Sequence, residues 1–84
     1  MKRKIRRRVL SFSGIDPVRL LGVQDNNLHL VEEHFGHQLT VRGEEIILNG
    51  DSGRIDELTA VLETMIRIAG GGRPLTESDV MTIL

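Results

Sequence analysis

Eighty-four residues, 39% of them apolar and with no Trp, no Tyr and two Phe, make one small domain whose core must be aliphatic. The absence of cysteine excludes disulfides and thiolate metal sites and fits a reducing, cytoplasmic setting, and no apolar run approaches the ~20 residues of a membrane span. Net charge is −1, but Lys2, Arg3, Lys4, Arg6, Arg7 and Arg8 hold six of the eleven basic residues, which leaves five against twelve acidic ones, net −7, elsewhere.

An acidic body with one basic arm lacks the basic face that usually marks strong nucleic-acid binding. No apolar stretch of about 7–15 residues follows the basic start, so a signal peptide is not expected. Residues 1–4 read as a flexible basic start. Ile5, Val9, Leu10 and Phe12 are β-prone, which predicts a strand over 5–12 despite imperfect alternation. The six charges admit two readings: a phosphate-seeking arm, or a solvated terminus and edge strand protected by charge.

Ser13-Gly14 breaks that strand. Asp16-Pro17 then opens a short helix, with Asp as cap and Pro at the first helical position, and Gly22 ends it after Val18, Leu20 and Leu21. The loop Gly22–Asn27 leads into a second helix. There Leu28, Val31 and Phe35 fall on one stripe, Asp25, Asn26 and Asn27 supply caps, and Gly36 is the stop. Leu39 and Val41 alternate with Thr40 and Arg42 as a half-buried strand. Gly43-Glu44 suits a type II′ hairpin into a strand from Glu45 to Asn49, with Arg42 opposite Glu45. Asn49 to Gly53 reads as a turn ending in helix caps. The helix 54–69 follows, with Ile55, Leu58, Leu62, Met65, Ile66 and Ala69 on one stripe that Val61 widens. Residues 70–75 form a Gly-rich linker. Thr76 and Asp79 then form a capping box for a terminal helix over 76–84.

These elements predict an α+β fold, a three-stranded sheet with helices on one face plus a C-terminal helix. The residues Leu21, Gly22, Val23, Gln24, Asp25, Leu28, Val31, Gly36, Leu39, Val41 and Gly43 follow a pattern that resembles the K-homology (KH) nucleic-acid-binding motif. The departure is Asp25, which stands where the second glycine of Gly-x-x-Gly would be. More narrowly, IDPVRLLGVQDNNLHLVEEHFG is similar to the KH-like N-terminal region of the PhoH-like, phosphate-starvation-inducible ATPases. That resemblance implies a type I order β-α-α-β-β-α over residues 5–69. It also implies that 76–84 lead towards an ATPase domain outside this sequence.

His29, Glu32, Glu33, His34 and His37 invite a metal reading, but His29 and His34 are five apart and face different ways, so no HExxH site is expected. The triple glycine before Arg73 lacks the Gly-Lys-Ser/Thr of a phosphate loop, and no Lys follows Lys4. No catalytic residues are therefore assigned to this stretch, and it takes no cofactor of its own. ATP and Mg belong to the implied parent.

The resemblance makes the stretch a single-stranded RNA-binding accessory domain that positions RNA for the motor. The loop contacts would be Gly22, Val23, Gln24, Asn26 and Asn27. Arg42 and the arm Lys2, Arg3, Lys4, Arg6, Arg7 and Arg8 would add phosphate attraction. The alternative is a KH-shaped protein-interaction module that docks on the ATPase domain or a neighbouring subunit, with no membrane partner. The resemblance also allows oligomerisation through the parent protein.

Overall fold

The computed structural model describes residues 5–36 and 39–84. The expectations for Lys2, Arg3, Lys4 and His37 lie outside the described residues. In chain order come β1 (Ile5–Ser11), α1 (Pro17–Leu21), a single 3-10 turn (Val23–Asp25) and α2 (Asn26–Phe35). They are followed by β2 (Leu39–Arg42), β3 (Glu45–Asp51), α3 (Ser52–Gly70) and α4 (Glu77–Ile83). The sheet is antiparallel, with β3 between β1 and β2. The fold is α+β, and no helix among the described residues is long and apolar enough to cross a membrane.

Pleating sorts the strand residues into two sets. Leu39, Ile46 and Leu48 fall on the buried side and join Phe12, Leu58 and Leu62 in one aliphatic core. Arg8 shares that side and reaches α3, where it meets Thr59 Oγ1 at 3.1 Å and Asp56 at 3.4 Å. The opposite face carries Arg7, Val9, Thr40, Arg42, Glu45 and Asn49. Ile47 is on that face too and is still buried, with Val9 and Thr40 as its cross-strand partners.

One strand runs past its expected end. The strand predicted to stop at Asn49 continues to Asp51, because Asn49, Gly50 and Asp51 pair with Arg7, Arg6 and Ile5. Asp51 therefore closes a strand and also caps α3, its carboxylate accepting from the N–H groups of Gly53 and Arg54. Of the expected α3 stripe, Ile55, Leu58, Leu62, Met65 and Ala69 are buried, and Ile66 and Val61 are partly buried against the same core.

The Gly-rich stretch after α3 is anchored rather than free. Leu75 is buried, and its N–H donates to Arg19 O at 2.9 Å. Val80 puts α4 into the same core, and α4 packs on α2. The capping box forms as the sequence indicates: Asp79 N–H donates to Thr76 Oγ1, and Thr76 N–H donates to the Asp79 carboxylate. Arg73 adds an ion pair at 2.8 Å. The hydrogen bonds from Arg73 and Thr76 hold the Asp79 carboxyl well below the usual carboxylate range, and the same bond raises the Arg73 guanidinium.

Candidate nucleic-acid interface

Asp16 starts the first arm of the site: its carboxylate accepts from Val18 N–H, and Pro17 follows at the first helical position. Gly22 stops α1 at φ +84, ψ +167, a region that only glycine occupies without strain. Its N–H still bonds Val18 O, and its carbonyl accepts from Asp25 N–H to close the 3-10 turn. Gln24 and Asp25 both adopt left-handed backbone, at φ +54 and φ +59. Two consecutive non-glycine residues in that region are uncommon, and Asp tolerates it better than most.

Asp25 occupies the N-cap position of α2 without a side-chain cap bond. The sequence assigned it a capping role, which the left-handed backbone precludes, since a capping side chain reaches the first-turn N–H groups from an extended residue. Val23, Gln24, Asp25 and Asn26 are exposed and form the outer edge of the loop.

Asn27 departs from expectation. It is buried, and its Nδ2 donates inward to Leu20 O at 3.2 Å and Leu75 O at 2.8 Å. Its amide is spent on the protein and leaves no donor for a phosphate. Gly22 packs directly on it.

The remaining cations are not gathered at the loop. Arg8 is occupied with Asp56 and Thr59. Arg6 shares the face of Arg8 at the far end of β1, whereas Arg7 and Arg42 are on the uncovered face of the sheet. By strand geometry, at about 4.8 Å between strands and about 3.4 Å per residue, the Arg7 and Arg42 Cα atoms are roughly 17 Å apart. The loop edge and the sheet cations are thus two separate features.

Two contributors escaped the sequence reading, Val18 and Arg19. Val18 is 58% exposed on α1 and forms an apolar edge with the expected loop contact Val23, which is 68% exposed. Arg19 is exposed on α1, three residues before the loop, in a polar cleft with Asp16, Gly14 and Gly72. Its helical position opposite the buried Leu20 and Leu21 was the available signal. His29 and His34 are exposed on α2, and among the described residues no three His, Asp or Glu side chains gather as a metal-ligand set. Comparison of the chain with protein-family models, curated proteins and solved structures found no match.

Proposed function

We propose that this chain is a KH-like, single-stranded RNA-binding domain of the kind that precedes the motor of PhoH-like ATPases, with the exposed loop edge Gly22–Asn26 as its contact surface. The observation that carries the reading is the backbone of Asp25. At φ +59 it holds the conformation a glycine takes freely, so the loop follows a Gly-x-x-Gly path although the second glycine is replaced. The helical pair after β1 and the β2–β3 hairpin before α3 support a KH-like order. The first-turn N–H groups of α2 carry no side-chain cap, which suits a phosphate oxygen.

Arg6, Arg7 and Arg42 supply the longer-range attraction, and Asp25 opposes it. A titration with single-stranded RNA at several salt concentrations tests the reading. The expected outcome is binding whose log–log salt slope is roughly −0.7 per phosphate contacted. Absence of binding at low salt would remove the RNA assignment.

A second reading has its own observation. Leu30, Glu33, His34, Met81 and Leu84 line an apolar groove of about 300 Å³ between α2 and α4, and Met81 is 67% exposed. Such a groove suits a protein-interaction module, with the ATPase domain or a neighbouring subunit as partner.

A further inference from the structure

Buried polar side chains are few here: among the described residues, Asn27 and Thr59. Thr59 donates within its own helix, to Ile55 O. Asn27 does something different. A side-chain amide has two N–H donors, and Asn27 Nδ2 directs them to two separate segments, Leu20 O at the end of α1 and Leu75 O ahead of α4. Leu75 answers through its own N–H, which donates to Arg19 O. The backbone of Leu75 is therefore held by residues on both sides of the loop, and its side chain is 4% exposed.

We infer that Asn27 is a positioning residue that ties the conformation of the loop 22–26 to the seating of α4, so that the two open and close as one unit. When α4 lifts and carries Leu75 with it, Asn27, 1% exposed in the seated structure, loses one of the two acceptors that fix its amide. Asn27 then no longer holds its place against Gly22. The left-handed pair Gln24 and Asp25 persists only while its surroundings over-determine it. Loss of the Asn27 anchor releases that pair, and the loop edge relaxes. Linkage makes the effect reciprocal: a ligand that fixes the loop tightens α4 by the same factor. The use of this coupling in RNA contact rests on the function proposed above, but the coupling itself does not.

Native-state hydrogen exchange on the 84-residue chain tests it. Thr76→Ala with Asp79→Ala removes the capping box on the surface without touching Asn27. The α4 amides of Val80 and Leu84 should exchange about fivefold faster, the usual effect of losing a cap. The Asp25 amide and the Asn27 side-chain amide should accelerate by the same factor, while the Phe12 amide, bonded to Glu44 O, keeps its rate. Asn27→Asp keeps the shape and removes the donors, so in that background the cap loss should no longer reach Asp25.

Faster α4 exchange with an unchanged Asp25 amide would overturn the inference. So would equal acceleration of Phe12, which means global opening. In a separate arm, a short single-stranded RNA should slow Val80 and Leu84 exchange. An RNA that fails to bind the unsubstituted 84-residue chain removes the function proposed above and leaves the exchange result to decide the coupling.

Discussion

Gly22 is packed against Asn27 so closely that a Cβ on Gly22 would stand 3.0 Å from both Cγ and the backbone nitrogen of Asn27. The glycine is therefore fixed twice, by φ +84 and by a neighbour that is itself buried and hydrogen-bonded. Gly22→Ala should destabilise the fold by at least about 2 kcal/mol, combining backbone strain with overpacking. Urea denaturation measures it, and a loss under about 0.5 kcal/mol, the scale of an ordinary surface substitution, would show that the contact relaxes freely.

Leu62 is fully buried on the α3 stripe. Leu62→Ala should cost about 2–5 kcal/mol, the range for a buried leucine that leaves a cavity. The same denaturation series reads it. An effect below about 0.5 kcal/mol would mean that α3 presents a different face to the sheet.

Asp79 should show an acid-shifted titration. Its folded carboxyl is held below the ordinary value by Arg73 and Thr76. A depressed folded pKa contributes stability that is fully present above the unfolded value, about 3.9, and is lost as pH falls through the folded one. NMR titration of the Asp79 carboxyl should give a midpoint well below that of a free aspartate. The α4 amides should lose protection only in acid, and a midpoint near the free value would remove the ion pair from the solution structure.

The elements were largely legible because each carries a local cause. Asp16-Pro17, Gly36 and the Thr76–Asp79 box act within a few residues of themselves, and the α3 stripe from Ile55 to Ala69 repeats over about four turns. The extension of β3 to Asp51 was not legible, because it depends on pairing with β1 some 45 positions away. The burial of Asn27 was missed for the same reason. Asparagine beside a helix start reads as a cap, and only the arrival of Leu75, 48 residues later, turns its amide inward. The basic arm looked like a single feature in the sequence. Strand alternation divides it, with Arg7 on one face and Arg8 bound to α3 on the other.

The loop reading and the docking reading separate at Asp25. Its carboxylate repels phosphate and makes no capping bond, so Asp25→Gly removes a charge without removing a cap. The substitution relieves left-handed strain of about 1 kcal/mol and adds unfolded-chain freedom of about 0.5–1 kcal/mol, so net stability should move little. RNA affinity should rise by about 1 kcal/mol or more at low salt, and the gain should shrink as salt screens the repulsion. The arm needs a gentler test than deletion, since residues 5–8 belong to β1. Arg6→Gln with Arg7→Gln keeps the strand and leaves Arg8 with Asp56 and Thr59. That pair and Arg42→Ala should each weaken binding and flatten the salt slope. If Asp25→Gly leaves affinity unmoved while the double substitution abolishes it, the arm alone holds RNA. The loop is then a structural turn braced by Asn27, and the groove between α2 and α4 becomes the functional surface.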